Sequence, residues 1–98
     1  MITRIVKMTF RPDATQDFLQ VFEESKELIR NFEGCQYLEL LREKPDGNVF
    51  FTYSRWNAEE NLETYRHSEL FATTWARTKV LFAGKPEAWT VDVLHSLK

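Results

Sequence analysis

The side chains best suited to chemistry cluster in one segment, residues 56–71, where aromatic, amide and imidazole groups lie close together along the chain. His67 is one of only two histidines, and its ordinary pKa near neutrality suits a general base. Tyr65 and Asn57 can donate hydrogen bonds to an oxygen on an aromatic ring. We therefore predict that His67, Tyr65 and Asn57 are the catalytic residues of a site for a small molecule.

Large apolar side chains are expected to enclose this site. The predicted substrate-binding residues are Trp56, Trp75, Phe71 and Met8. Ligand pockets are mostly apolar and contain a few convergent polar groups, and this combination matches that description. The same aromatic residues also stand at core spacings, so a ligand cavity and an ordinary hydrophobic core both remain open interpretations. A small hydrophobic or aromatic molecule is the ligand that the first interpretation predicts.

The common signatures of other active sites are absent from the sequence. It has no GxGxxG, GxxxxGK[ST], GxSxG or HExxH motif. His67 and His95 are 28 positions apart and show no metal-ligand spacing. Cys35 is the single cysteine and has no basic neighbour to activate it, which favours a small buried hydrophobe over a nucleophile. We predict neither a metal site nor a cofactor.

Length and charge exclude further classes of protein. The chain has 98 residues, with 13 Lys and Arg against 15 Asp and Glu, and a net charge of −2. This charge has the wrong sign for binding nucleic acid through phosphate neutralisation. No apolar run approaches the roughly 20 residues that span a bilayer, and the start of the chain lacks the apolar core of a signal peptide. We expect one cytoplasmic domain over residues 1–98, with neither nucleic acid nor membrane as a partner.

Hydrophobic periodicity predicts seven elements in the order β-α-β-β-α-α-β. Strands are expected at residues 2–10, 35–43, 49–56 and 88–95, with one long helix after the first strand and two short helices before the last. Asp13, Asn57 and Ser68 are the predicted N-caps of the three helices. Gly34 is expected at the C′ position of the first helix, and Pro45-Asp46-Gly47-Asn48 predicts the turn of a hairpin.

This order is typical of a ferredoxin-like α+β sandwich, in which helices cover one face of a four-stranded antiparallel sheet. The strands, however, are apolar on both faces. In the third strand Phe51 and Tyr53 alternate with Phe50 and Trp56, and strict alternation in the second strand places Cys35 and Tyr37 on one face. A sheet that is apolar on both faces needs a second cover. We therefore predict a homodimer that forms through the sheet face and closes an α/β barrel.

Three features of the sequence resemble the antibiotic biosynthesis monooxygenase domain over nearly the whole chain. They are Trp56 at a strand end before a capped helix, the run Tyr65-Arg66-His67-Ser68-Glu69-Leu70-Phe71, and the closing strand Pro86-Glu87-Ala88-Trp89-Thr90-Val91. The resemblance implies a dimeric α+β barrel with a pocket between sheet and helices in each subunit. Members of the family include cofactor-independent oxygenases of polycyclic phenols, heme-degrading enzymes and enzymes that act on small signalling metabolites.

The sequence also departs from the family pattern. Two positions at which many members carry histidine hold Tyr65 and Leu70 here. The heme-degrading branch uses an Asn, a Trp and an axial His at positions that hold Val6, Tyr65 and Trp75 in this chain. The resemblance therefore disfavours heme degradation, and it leaves His67 as the remaining candidate for an iron ligand.

Three hypotheses about function follow. The first is a cofactor-independent monooxygenase in which His67 deprotonates a small aromatic or phenolic metabolite that then reacts with oxygen. The second is a non-catalytic dimer that binds a small molecule in the same pocket. The third is a protein that binds or degrades heme. Whether the chain is an enzyme is left open at this point.

Overall fold

Four strands and three helices form in the predicted order in the computed structural model, which describes residues 1–44 and 47–98. The elements are β1 (Ile2–Thr9), α1 (Thr15–Arg30), β2 (Cys35–Arg42), β3 (Val49–Trp56), α2 (Glu59–Arg66), α3 (Glu69–Lys79) and β4 (Glu87–Asp92). A short 3-10 turn, Pro12–Ala14, precedes α1. The predicted turn at Pro45-Asp46-Gly47-Asn48 falls partly on Pro45 and Asp46, which lie outside the described residues.

The four strands form one antiparallel sheet in the order β2-β3-β1-β4. β1 pairs with both β3 and β4, and Ile2 lies opposite Trp56 on one side and Asp92 on the other. The helices cover one face, and the predicted ferredoxin-like α+β architecture is confirmed. Residues 50, 52, 54 and 56 of β3 and the even-numbered residues of β1 face the helices.

Two hydrophobic clusters lie between the sheet and the helices. Met8, Phe10, Phe18 and Phe50 form the first, at the end of the sheet where β1 finishes. The second cluster consists of Cys35, Trp56 and Leu62 at the opposite end. Burying several large side chains in each cluster supplies the main favourable term of folding.

A bulge in β2 changes the predicted alternation of that strand. The register shifts between Cys35 and Tyr37, so that Cys35 is buried against Trp56 whereas Tyr37 is 40% exposed on the other face. The prediction that these two residues share a face was therefore wrong, because a bulge adds one residue to a strand and reverses the alternation after it.

One of the three predicted helix caps is confirmed. The Ser68 hydroxyl accepts a hydrogen bond of 3.1 Å from the backbone N–H of Phe71, at the start of α3. The predictions for Asp13 and Asn57 were wrong, because α1 follows Ala14 and α2 follows Ala58, and neither has a side-chain cap. Asp13 is held within the 3-10 turn before α1, so the α-helix begins at Thr15, one residue later than a cap at Asp13 would allow.

Gly34 lies in the connection between α1 and β2 and contacts the segment that precedes α2. It adopts a φ of 90°, a left-handed conformation that favours glycine, and its carbonyl accepts a 2.8 Å hydrogen bond from the N–H of Asn57. A Cβ at this position would overlap the side chain of Asn61. The sequence predicted Gly34 at the C′ position of α1. This prediction was wrong, because α1 ends at Arg30 with Asn31 as its C-cap, and Gly34 lies beyond the C′ position.

The sheet face opposite the helices is rich in apolar side chains. Cross-strand pairs place Ile5 beside Tyr53 and Trp89, and Phe51 beside Leu41. Together with Tyr37 and Val91, these residues define what we call the open sheet face. Leu41 is 42% exposed and Trp89 is 45% exposed. In the part of the chain that the structure describes, no helix has the length and apolar character needed to cross a membrane.

Candidate functional site

A cavity of about 360 Å³ lies between the sheet and the three helices. Its volume is within the range of roughly 300–1,000 Å³ that is common for small-molecule sites. Arg4, Val6 and Met8 of β1 contribute to the sheet side, and Tyr65 of α2 and Trp75 of α3 contribute to the helix side. Most of the lining is apolar, and it draws residues from both hydrophobic clusters.

Five of the seven residues predicted for the site line this cavity. They are Tyr65, Trp56, Trp75, Phe71 and Met8. The structure brings them together because the even-numbered positions of β1 and β3 and the inner faces of α2 and α3 converge on the same space. The cavity interpretation of these aromatic residues therefore fits the structure better than a fully packed core.

The other two predicted residues, His67 and Asn57, lie outside the lining of the cavity. Both are exposed. His67 is the C-cap of α2, and its Nδ1 lies 2.8 Å from the carbonyl oxygen of Glu63. Asn57 precedes α2, and its backbone N–H donates to Gly34. Neither side chain faces the enclosed space in this arrangement.

Aromatic rings form a continuous wall along the helix side of the cavity. Trp56 and Tyr65 stack with ring centroids 5.1 Å apart, and Tyr65 meets Phe71 edge to face at 5.3 Å. Phe71 in turn stacks on Trp75 at 5.8 Å. Such pairs restrict one another's rotamers and add to the stability gained by burial. The wall therefore offers a rigid surface on which a planar ligand can stack.

Tyr65 contributes a free hydroxyl donor to this wall, and Trp75 contributes an indole N–H. Burial, with a smaller contribution from Cys35, raises the pKa of Tyr65 to about 12. The hydroxyl is therefore protonated at neutral pH. Within residues 1–44 and 47–98 it makes no hydrogen bond to another side chain or to the backbone. It is available to donate to a ligand.

Several other polar groups in the lining already make hydrogen bonds within the protein. The indole N–H of Trp56 donates to the Ser54 hydroxyl at 3.0 Å. Ser25 and Thr78 donate to backbone carbonyls one turn earlier in their own helices, both at 2.8 Å. Tyr65, Trp75 and the two lining threonines, Thr52 and Thr74, keep polar groups that can orient a ligand, and so does one charged residue of β1.

The charged residue is Arg4, which sequence analysis did not assign to the site. It stands on the helix-facing side of β1, is half-buried, and donates a 2.9 Å hydrogen bond from Nη1 to the Thr90 hydroxyl. Burial is the first cause that lowers the pKa of Arg4, and repulsion from Arg66 is the second. Arg4 is the charged exception among the alternate residues of β1 that are otherwise apolar, and this exception was the signal that could have identified it.

The described residues contain no group of three or more His, Cys, Asp and Glu side chains that could hold a metal ion. Cys35 is buried, and desolvation raises the pKa of its thiol. Both features fit a packing role for Cys35 in the cluster around Trp56.

Comparison with known proteins gives a consistent family assignment. The family model described as antibiotic biosynthesis monooxygenase matches residues 1–77. The crystal structure of an antibiotic biosynthesis monooxygenase superimposes with a TM-score of 0.90 at 18% identity, covering 97% of this chain and 100% of that chain. A protein from Mycobacterium tuberculosis gives a TM-score of 0.87 at 20% identity, with coverage of 99% and 98%. At these identities the structural matches show the shared fold.

A curated relative is a candidate heme-binding protein from Natronomonas pharaonis, with 27% identity over 78 residues. The match covers 80% of this chain and 13% of that protein, so the chain spans a small part of the relative's length. The family model, which covers most of the chain, and the fold lead to the same conclusion. The chain belongs to the antibiotic biosynthesis monooxygenase family.

Proposed function

We propose that the protein is a cofactor-independent monooxygenase that oxidises a small aromatic or phenolic metabolite in the cavity between sheet and helices. The observation that carries this proposal is the aromatic wall of a cavity of about 360 Å³, whose lining includes Tyr65 with its protonated hydroxyl. A cytoplasmic location remains a prediction from the sequence.

Tyr65 would stabilise negative charge on the substrate. When a phenol or a related carbon acid loses a proton, the charge spreads to the ring oxygen. A positioned donor in a site of low polarity stabilises such an oxyanion more strongly than water does. Trp56 and Trp75 would hold the ring plane, and Met8 would close the sheet side. The proton would leave to water, since His67 lies outside the lining.

The reaction needs no reductant other than the substrate. For an anthrone, the deprotonated methylene carbon transfers electrons to dioxygen and forms a bond to one of its oxygen atoms. That atom becomes the new carbonyl oxygen of the anthraquinone. The second oxygen leaves as water with the two hydrogens of the methylene group. The carbon loses four electrons and dioxygen gains four, so the equation is balanced without a cofactor.

We also propose that two copies of the chain associate through the open sheet face. Leu41, Trp89 and Val91 are exposed on it, and Phe51 and Tyr53 lie between them. Contiguous apolar surface of this kind is rare on monomeric proteins. A second identical sheet covers it economically, because a two-fold axis brings the same residues together.

A non-catalytic binding protein is the second candidate. It is favoured by one observation, namely that no histidine is among the residues that line the cavity. In that case an aromatic ligand would raise the melting temperature without being converted, since a ligand that binds only the folded state stabilises it.

The cavity does not fit heme ligation. Heme iron is held by His, Cys, Met or Tyr side chains, and neither His nor Cys is among the residues that line the cavity. Met8 is buried in the first hydrophobic cluster. Tyr65 is a poor anionic ligand because its pKa is raised to about 12. The cavity therefore gives no support for extending to this chain the heme binding that is named for the relative from Natronomonas pharaonis.

The test is oxygen uptake with anthrone in protein treated with a chelator. Thr74 lines the cavity, whereas the neighbouring Thr73 is exposed on the outer side of α3, so Thr74→Trp and Thr73→Trp form a matched pair. We expect uptake well above that of buffer, a loss of about tenfold or more in Thr74→Trp, and near wild-type rates in Thr73→Trp. Uptake equal to that of buffer, or equal rates in the two variants, would contradict the proposal.

A further inference from the structure

We propose that the cavity recognises an organic oxyanion, a carboxylate or phenolate on an apolar body, through the guanidinium of Arg4. This inference rests on the proposed function, since it names the substrate class of the same cavity. The anionic group would meet Arg4 at the sheet, and the apolar body would lie along the aromatic wall of Tyr65, Phe71 and Trp75.

The position of Arg4 is unusual for a charged residue. It stands between Ile2 and Val6 on the face of β1 that packs toward the helices, where Met8 and Phe10 continue the apolar series. An arginine with only a structural role is expected on the opposite face or at the rim of the sheet. Thr90 on the neighbouring strand holds one nitrogen of the guanidinium at 2.9 Å, which limits its orientation.

Arg4 differs from the other charges around the cavity because, among the described residues, it forms no direct ion pair, although the charge of Glu63 acts on it from farther away. Lys7 and Glu87 pair at 3.8 Å, and Arg66 pairs with Glu63 at 3.0 Å. Over residues 1–44 and 47–98, no carboxylate oxygen lies within 4.0 Å of the Arg4 guanidinium. Removing a guanidinium partly from water without a direct ion pair is unfavourable, and a ligand anion would supply that pair.

The surroundings strengthen this preference for an anion. Arg66 also lines the cavity, and its positive charge acts on Arg4 together with burial to lower the pKa of Arg4. A ligand anion at Arg4 would offset this repulsion, as the charge of Glu63 already does in part. Arginine is suited to the task, because its planar fork can donate two parallel hydrogen bonds to a carboxylate and remains charged in proteins.

The experiment compares ligands of equal shape and different charge. Binding of 2-naphthoate and of the neutral 2-naphthamide is measured by calorimetry at pH 7 with wild-type protein, Arg4→Gln and Arg4→Lys. Arg77→Gln is the control, because Arg77 pairs with Glu24 on the outer surface of α1 and α3 and does not line the cavity. A third ligand, 2-naphthol, tests whether a phenolate can be the bound oxyanion. Loss of its proton on binding would shift its absorption spectrum.

We expect wild-type protein and Arg77→Gln to bind naphthoate about tenfold or more tightly than naphthamide, as charge-assisted hydrogen bonds predict. Arg4→Gln should lose this preference while keeping its affinity for naphthamide, and Arg4→Lys should keep part of it. If Arg4→Gln does not fold, the wild-type ratio and Arg4→Lys decide the question. Equal affinities in wild-type protein, failure of both naphthoate and naphthamide to bind, or an unchanged preference in Arg4→Gln would overturn the inference.

Failure of the anion site and failure of the proposed oxygenase function give different experimental results. Calorimetry detects anion binding whether or not oxygen is consumed. A preference for naphthoate that depends on Arg4 in a protein without oxygenase activity would leave the anion site standing and favour the non-catalytic candidate. Oxygen uptake with anthrone that is blocked in Thr74→Trp, together with equal naphthoate and naphthamide affinities, would support the oxygenase and refute the anion site.

Discussion

Replacing Tyr65 with Phe provides a sharp test of how dry the cavity is. The pKa of Tyr65 in the folded protein is about 12, compared with an ordinary value of 10. Between these values the unfolded chain has lost the proton and the folded protein has kept it. Stability that is fully present below pH 10 is therefore lost as the pH rises toward 12. The total difference corresponds to about 2.7 kcal/mol.

The magnitude at an accessible pH follows from the same values. At pH 11 the wild-type protein should have lost about 1.4 kcal/mol at this residue, whereas Tyr65→Phe has no proton to lose there. Tyr37, whose pKa is raised by Glu39, and Tyr53, whose pKa is lowered by Arg55, are present in both proteins and cancel in the comparison. At pH 8 the two proteins should have similar stability, because within the described residues the Tyr65 hydroxyl has no hydrogen-bond partner to lose.

The assay is urea unfolding of both proteins at pH 8 and at pH 11, with a tyrosinate absorbance titration as a second readout. The wild-type titration should end with one tyrosine near pH 12 that is missing from Tyr65→Phe. Equal losses of stability in the two proteins, within about 0.3 kcal/mol, would refute the reasoning. The cavity would then be wetter than its lining indicates, and an oxyanion would gain little from it.

Two further predictions concern the fold and the assembly. Gly34→Ala should destabilise the protein by about 1–3 kcal/mol in urea unfolding, since the left-handed backbone and the Asn61 side chain both oppose a Cβ; a change below about 0.5 kcal/mol would contradict this. Phe51→Lys on the open sheet face should convert a dimer to a monomer in light scattering, whereas Leu28→Lys, at a 60% exposed position on α1, should not. A monomeric wild-type protein, or a Phe51→Lys variant that stays dimeric, would count against the proposed interface.

The order of elements could be predicted because the periodicities were strong and consistent with the turn residues. The phenylalanines of α1 recur at helical spacing, and the β strands alternate almost without exception. The Ser68 cap could also be predicted, because a serine hydroxyl can accept from the N–H three residues later while it donates to a nearby carbonyl, here that of Tyr65. Local chemistry was sufficient wherever a single short-range interaction decided the outcome.

The remaining features depend on contacts between distant residues. Asn57 has the chemistry of an N-cap, but its backbone is bound to Gly34, 23 positions earlier, and α2 begins one residue later than a cap at Asn57 would allow. The bulge beside Cys35 is set by packing against Trp56 and Leu62. The position of His67 outside the cavity follows from its place at the end of α2, which no periodicity reveals.

The apolar lining of the cavity is easier to predict from sequence than its charged lining. Aromatic residues are recognisable by type and spacing, and the structure places Trp56, Tyr65 and Trp75 in the lining of one cavity. Arg4 stood out only as an exception within an apolar face. Its relevance depends on Thr90, which is 86 positions away in sequence and adjacent in the sheet.

The most direct test of the central claim is isotope incorporation. Chelator-treated protein is supplied with anthrone under ¹⁸O₂, and the anthraquinone is analysed by mass spectrometry with Thr74→Trp and buffer alone as controls. The proposed reaction predicts one labelled oxygen in each product molecule, one dioxygen consumed per anthrone, and a rate that falls to that of buffer in Thr74→Trp. Product formed no faster than in buffer, or product with its new oxygen derived from water, would contradict monooxygenation in this cavity.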